Sequence, residues 1–298
     1  MLRRLLDMWI SRYARPEPAA LDAVAHLQPA VVVTGGSCGI GLALARRFAK
    51  AGNAVAVIGR DPAALQTAAA GIERDFGVTA MAIATDITRP DAPQTINAHL
   101  VEAGFYLDLL INNAGIGLAG PFDEHEAEKV DYLVALNVAA LTRLMHHALP
   151  GLLARGRGGI LNIASLGGLA PGPYQAAYYA SKAYVISLTE AVAYENAGHG
   201  VRLTAVAPGP VDTGFHEAMG AELAFYRQLI LPLSPEAVAR SAYFGYLLGW
   251  RLVVPGLFNK LLVLPLRILP HRLLMPLVGW LLRPRAQRDL AASRDTDA

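Results

Sequence analysis

The sequence predicts an α/β fold: a doubly wound, Rossmann-type parallel sheet of about seven strands in a single domain. Three observations carry that expectation. Short apolar runs recur along the chain from residue 30 to about 256, each followed by a segment with helical spacing. Most of the runs are continuously apolar rather than alternating, as when both faces of a strand are covered by helices. The 298 residues are 54% hydrophobic and only 17% charged, enough for a sizeable core and incompatible with bulk disorder.

The strand-like runs are Ala30–Val33, Ala54–Ile58, Thr79–Thr85, Leu107–Ile111, Gly159–Ala164, Val201–Ala207 and Leu252–Val254. Between them, Leu42, Leu44, Ala45, Phe48 and Ala49 recur at helical intervals, as do Leu133, Leu136, Asn137, Leu141 and Leu144. Strand–helix alternation of this length means a parallel sheet with crossover helices. The chain divides into an amphipathic N-terminal extension over 1–28, a Rossmann-type domain over 29–256, and a basic, Leu-rich C-terminal extension over 257–298.

The formal net charge of +2 is a near-cancellation. Residues 1–16 carry +3 and residues 237–288 carry +8 with no acid, whereas 17–236 carry −7 and the last ten residues −2. An acidic body with basic ends argues against a nucleic-acid groove. One cysteine, Cys38, excludes a disulfide scaffold and a cysteine-based zinc site, and the eight histidines show no ligand spacing, so no metal is expected. Asp7 interrupts the short apolar N-terminal stretch and no small-residue cleavage site follows, which argues against a signal peptide. No apolar run reads as a spanning helix, and the charge-free stretch Ile163–Ser181 is rich in Gly, Pro and Tyr. A cytoplasmic location is expected, with the ends left to decide whether the protein meets a membrane surface.

The first strand runs into Thr34-Gly35-Gly36-Ser37-Cys38-Gly39-Ile40-Gly41 and then a helix over Leu42–Lys50. A glycine turn there brings unpaired amides and the positive helix end to one point, which suits a pyrophosphate. Gly35, Ser37, Gly39, Ile40 and Gly41 are the candidate cofactor residues; an ordinary strand-to-helix turn is the other reading. The second strand ends in Gly59-Arg60-Asp61. Arg60 stands where an NAD-preferring fold has an acid, and a guanidinium suits a 2′-phosphate, so NADP(H) is favoured over NAD(H), with Asp61 pulling the other way.

Asn112-Asn113-Ala114-Gly115 closes the fourth strand, Ser165 follows the fifth, and Tyr178-Tyr179-Ala180-Ser181-Lys182 opens a helix. A Tyr and a Lys four apart share a helical face, and the ammonium favours phenolate. Of the nearby tyrosines only Tyr178 has a lysine at +4: Tyr179 meets Ala183 and Tyr174 meets Tyr178. A phenol so tuned can exchange a proton with a carbonyl or alcohol oxygen while hydride moves.

With these residues in hand, the sequence resembles the short-chain dehydrogenase/reductase family over residues 30 to about 256. The marks are T-G-x-x-x-G-x-G at Thr34–Gly41, N-N-A-G at Asn112–Gly115, Y-x-x-x-K at Tyr178–Lys182, Ser165 thirteen residues before Tyr178, Asn137 within Leu136-Asn137-Val138, and Pro208-Gly209 followed by Thr213. The resemblance implies Tyr178 as general acid/base, Ser165 as hydrogen-bond donor to the substrate oxygen, and Lys182 on the nicotinamide ribose. It implies Asn137 holding a water that links Lys182 to solvent, Asp86 bonding the adenine amino group, and Pro208, Gly209 and Thr213 holding the carboxamide. Asn112, Ala114 and Gly115 complete the implied cofactor set. Plain turn or capping chemistry is the alternative for Asn137 and Asp86. Cys38 reads as a small filler, and His146 and His147 are assigned no chemistry. A homodimer or homotetramer is implied by the same resemblance.

The segment after Thr213, with Phe215, Met219, Leu223, Phe225, Tyr226, Leu229 and Ile230, would lid a cleft for a hydrophobic carbonyl or alcohol substrate. The layout is similar to the branch holding long-chain ketoacyl and hydroxysteroid reductases and their bacterial relatives. At the N-terminus Leu2, Leu5, Leu6, Trp9, Ile10 and Tyr13 share a helical face; at the C-terminus Leu273, Leu274, Leu277, Val278, Leu281 and Leu282 follow helical spacing among Arg and Pro. Both ends read either as elements lying in a membrane surface, or as segments that pack on the body or form a dimer contact. An NADPH-dependent ketoreductase is the leading functional expectation, beside an NAD-linked secondary-alcohol dehydrogenase and a catalytically silent nucleotide-binding scaffold.

Overall fold

The computed structural model describes residues 6, 8–221 and 231–283. A short helix α1 (Pro18–Asp22) precedes β1 (Gln28–Thr34), and strands then alternate with helices: α2 (Gly39–Ala49), β2 (Ala54–Gly59), α3 (Pro62–Phe76), β3 (Ala80–Ala84), α4 (Ala92–Glu102) and β4 (Phe105–Asn112). After β4 come α5 (Ala127–Val134), a π turn (Ala135–Ala140), α6 (Leu141–Arg155), β5 (Gly159–Ile163), α7 (Ala176–Glu195), β6 (Arg202–Val206), α8 (Phe215–Ala218), α9 (Pro235–Leu247) and the two-residue β7 (Leu252–Val253). All seven expected strands are present, in one parallel sheet of order β3-β2-β1-β4-β5-β6-β7. The order reverses between β1 and β4, and the crevice at the carboxyl ends of these two strands is where ligands bind in such sheets.

Two hydrophobic clusters sandwich the sheet. Val31, Val33, Val55, Val57, Leu109 and Ile111 point to one face, against α2, α3 and α9; Ala30, Val32, Ala56, Ile58, Leu110 and Ile160 point to the other, against α4 and α6. Successive residues of one strand feeding opposite cores is why these runs are continuously apolar.

The local punctuation follows from the residues. Asp61 caps α3, its Oδ1 accepting from the Ala63 and Ala64 amides at 3.0 and 3.1 Å, and Gly77 closes that helix in the left-handed conformation. The helix expected over Leu42–Lys50 begins three residues earlier, at Gly39. The apolar spacing over 133–144 predicts a regular helix; instead a π turn interrupts it, with Asn137 inside. Its buried polar bonds, given below, outweigh the regular i→i−4 ladder.

Two elements beyond the sheet complete the chain. The segment through Ile10 and Tyr13 runs along the amino ends of the strands: the Gly200 amide donates to Ile10 O at 2.9 Å and the Tyr13 amide to Gly198 O at 2.7 Å, just before β6. At the opposite, carboxyl end lie α10 (Leu257–Ile268) and α11 (His271–Leu282), where Leu274, Val278 and Leu282 are buried with Tyr178 and Met219. The expected N-terminal face falls partly outside the described residues, as do Leu223, Phe225, Tyr226, Leu229 and Ile230 of the expected lid.

Candidate active site

A cavity of about 1000 Å³ opens at the carboxyl ends of the strands. Gly35, Ser37, Gly39 and Ile40 line it from the turn after β1, Arg60 from the end of β2, Asp86 from beyond β3, and Ala114 and Gly115 from beyond β4. Ser165 enters from beyond β5, Tyr178 and Lys182 from α7, and Pro208, Gly209 and Thr213 from beyond β6.

The glycine turn is built for close approach. Gly35 and Gly39 have φ of +62° and +52°, and a Cβ on Gly41 would be driven into the Gly35 carbonyl. Gly41 therefore supports the turn from behind rather than lining the cavity. Cys38 stands at the N-cap of α2 and makes no side-chain cap bond, so the first-turn amides of this eleven-residue helix point at the cavity uncapped. That donor set fits a pyrophosphate. Thr34 and Asn113 lock the turn to β4: the Asn113 and Ala114 amides each donate to Thr34 Oγ1 at 3.0 Å, and Asn113 Nδ2 donates to the Thr34 and Gly35 carbonyls at 3.0 and 3.1 Å.

At the end of β2, Arg60 Nη1 donates to Tyr132 Oη at 2.8 Å. Asp61 lies on the same wall with its Oδ1 taken up by the helix cap, and a second guanidinium, Arg46 on α2, also reaches it while its Nη2 is paired with Asp75 Oδ2 at 2.7 Å. Burial works to raise the Asp86 carboxyl, but Thr88 donates to it through both its amide (2.9 Å) and its hydroxyl (2.8 Å), and with Arg60 and Arg89 nearby the group is held below the usual carboxylate range.

Ser165 caps a short 3₁₀ turn, its Oγ accepting from the Gly167 amide at 3.1 Å. One helical turn apart on α7, Lys182 Nζ lies 5.8 Å from the centre of the Tyr178 ring, and Phe215 packs on that ring at 5.6 Å. Lys182 is 5% exposed and donates to the Ile163 carbonyl at 2.9 Å; burial brings its pKa down from 10.5 to about 8. An ammonium this easily deprotonated can pass protons near neutral pH.

Asn137 sits behind the cavity wall, 1% exposed. Its Oδ1 accepts from the Ile116 amide at 2.9 Å and its Nδ2 donates to Ile116 O (2.8 Å) and to Ser181 Oγ (3.1 Å). The π turn presents this side chain to the β4 loop and α7 together, as such turns do at functional sites.

Asn112 departs from expectation. It does not face the cavity: it is buried in β4, and its Nδ2 donates to Asn162 Oδ1 of the neighbouring strand at 2.9 Å. Strand alternation turns Asn112 into the sheet and leaves Asn113, the next residue, on the crevice side. Sequence reasoning also passed over Gln175, which is 3% exposed on the cavity wall with its Nε2 buried and no hydrogen-bond partner among the described residues. Its one sequence signal is its place, three residues before Tyr178. No cluster of three potential metal ligands occurs among the described residues.

The sequence profile of the family described as short chain dehydrogenase matches residues 29–224. The chain belongs to that family. As a short-chain dehydrogenase it is an oxidoreductase, with the NAD(P)-binding sheet described above. Sorbitol dehydrogenase of Cereibacter sphaeroides is 33% identical over 215 residues, covering 72% of this chain and 82% of the relative. Among solved structures, a short-chain dehydrogenase from Sphingobium yanoikuyae in complex with NADPH superposes with a TM-score of 0.70 at 32% identity, covering 77% of this chain and 88% of the other. A bulky-bulky ketone specific alcohol dehydrogenase from Comamonas testosteroni gives 0.68 at 29% identity, covering 78% and 90%.

Proposed function

We propose that this short-chain dehydrogenase is an NADPH-dependent reductase of a hydrophobic ketone, running in reverse as a secondary-alcohol dehydrogenase. The observation that carries the reading is a single cavity. Its floor holds Ser165, Tyr178 and Lys182 beside a glycine cradle, and its far side is apolar, with Leu262, Leu266, Val278 and Leu281 on it.

Bound against the cradle, NADPH supplies the hydride. The uncapped N-terminus of α2 would receive the pyrophosphate, Arg60 would meet the 2′-phosphate, and Asp86 would accept from the adenine amino group. Pro208, Gly209 and Thr213 hold the carboxamide end. Tyr178 gives its phenol proton to the carbonyl oxygen as that oxygen becomes an alkoxide, and Ser165 donates a hydrogen bond to the same oxygen. Lys182 stabilises the resulting phenolate and, with Asn137 behind it, refills the proton. The Arg60 guanidinium, with Asp61 Oδ1 held in its helix cap, favours the phosphorylated cofactor over the bare diol. NADPH in the Sphingobium relative and ketone specificity in the Comamonas relative agree with this reading.

The same reading has the enzyme working in the cytoplasm, as the lone exposed Cys38 suits a reducing compartment, and as a homodimer or homotetramer. The test is cofactor consumption against ketones graded in chain length. Turnover with NADPH that rises with apolar chain length is expected; equal turnover with NADH, or preference for small polar substrates, overturns the assignment.

A further inference from the structure

Helices α10 and α11 are apolar on two sides. Their inner sides carry Leu262 and Leu266, and Val278, Leu281 and Leu282, all on the wall of the substrate cavity. Their outer sides carry a second stripe on each helix. Leu257, Leu261, Leu264 and Ile268 follow one another at four-, three- and four-residue steps, and Leu273, Leu277 and Trp280 at four and three. These are not marginal exposures: Leu264 is 65% and Leu273 67% open to solvent. Soluble surfaces rarely gather this many large apolar side chains in one place, and such a patch marks an interaction site.

Charge says which partner. Lys260 and Arg267 flank the outer stripe of α10, and Arg272 is exposed beside that of α11; among the described residues only Arg267 of these three is paired, with Glu190 at 3.6 Å. No acidic residue occurs between 237 and 288. A self-complementary face of this charge would set cation against cation in a dimer, whereas an anionic bilayer matches both the stripe and its rim. Neither helix is long and apolar enough to cross a membrane. The pair therefore suits a position in the interfacial plane. The N-terminal segment does not share this surface, because Ile10 and Tyr13 pack at the opposite end of the sheet.

We infer that α10–α11 is at once the roof of the active-site cavity and an in-plane docking element for an anionic lipid surface, so that the ketone substrate is a membrane-resident lipid delivered to Tyr178 through this roof. The inference rests on the ketoreductase reading for its substrate and on the outer stripe for its partner. Pro265 and Pro276, inside the two helices, each remove one rung of the helical ladder, which leaves the roof deformable at mid-length.

The test uses the full chain and two readouts. The first is co-sedimentation with vesicles of phosphatidylglycerol and phosphatidylcholine, or of phosphatidylcholine alone, at low and high salt. The second is NADPH oxidation with a long-chain ketone held in those vesicles and with a short water-soluble ketone. Binding is expected to anionic vesicles and to weaken at high salt. The triple variant Leu264→Ser/Leu273→Ser/Leu277→Ser should lose about tenfold or more of its vesicle partitioning. Its turnover of the vesicle-held ketone should fall in parallel while the short ketone is reduced as before. Absence of binding at low salt, or sedimentation equilibrium showing this face closed in a dimer that the triple variant breaks, overturns the docking inference. Vesicle binding with no ketone reduced overturns the ketoreductase reading instead. Unchanged turnover of the vesicle-held ketone after binding is lost overturns delivery through the roof.

Discussion

Lys182 Nζ donates to the carbonyl of Ile163, the last residue of β5, at 2.9 Å. The bond ties the ammonium to the strand end two residues before Ser165, so α7 and the Ser165 turn are held in one frame. It also leaves a cation in a nearly dry place. A base whose folded pKa lies near 8, below its unfolded 10.5, binds fewer protons in the folded than in the unfolded state between those values. Folding stability gained through Lys182 therefore rises with pH across that window, by an amount on the order of 3 kcal/mol when complete. Tyr246 acts oppositely above pH 10, because burial raises its phenol well beyond the usual value. Denaturant unfolding of the wild type and Lys182→Met at pH 7, 8, 9 and 10 should show their stability difference shifting toward the wild type as pH rises. A constant difference contradicts the burial effect.

Replacing Tyr178 by Phe removes the proposed proton source and keeps the ring that packs on Phe215. Ketone reduction should fall by about 10²–10⁴-fold, with NADPH binding followed by fluorescence nearly unchanged. A variant that keeps a large fraction of its turnover places the acid elsewhere.

Arg60 is exposed and bonded to the Tyr132 hydroxyl at 2.8 Å. Arg60→Asp exchanges a cation for an anion beside the proposed 2′-phosphate site. Affinity for NADPH should drop roughly tenfold or more, while that for NADH is retained or improved. Titration of both cofactors decides it, equal losses counting against the role.

Asn112→Ala separates a structural from a cofactor role. Removing it leaves Asn162 Oδ1 buried without its donor, which should cost about 1–3 kcal/mol with cofactor affinity unaltered. A large loss of affinity at unchanged stability returns Asn112 to the cofactor site.

Gln175 carries a buried amide nitrogen without a partner among the described residues. Gln175→Met fills similar space and removes that desolvated donor, so thermal unfolding should move up by the equivalent of about 1–2 kcal/mol. A KM increase for the ketone should accompany the gain, since stability is exchanged for recognition at such positions. A lower melting temperature shows the amide to be satisfied in solution.

The central strands were readable because burial on both faces writes itself as an unbroken apolar run, as in Val31-Val32-Val33. Gly35, Gly39, Tyr178 and Lys182 on the cavity wall were readable because a glycine turn and a Tyr–Lys helical pair each demand particular residue types at fixed spacing. Asn112 misled because two adjacent asparagines look alike in a string and differ only in which way the pleat turns them. The π turn was invisible because its cause is three-dimensional: Asn137 meets Ile116, twenty-one residues away, and Ser181, forty-four away. The C-terminal helices were legible as amphipathic, but that they close over Tyr178 depends on where β7 releases the chain.

The π turn over Ala135–Ala140 sets a phase for everything downstream on its helix. Deleting one residue there, to restore an ordinary α-helix, would screw α6 round by about 100°. Leu141, Leu144 and Met145 would swing out of their buried seats, or Asn137 would swing away from Ile116; the thread cannot satisfy both. The asparagine behind the cavity wall and the core of the crossover helix are thus counted on a single scale, and the chain tolerates substitution along this stretch more readily than any change in its length.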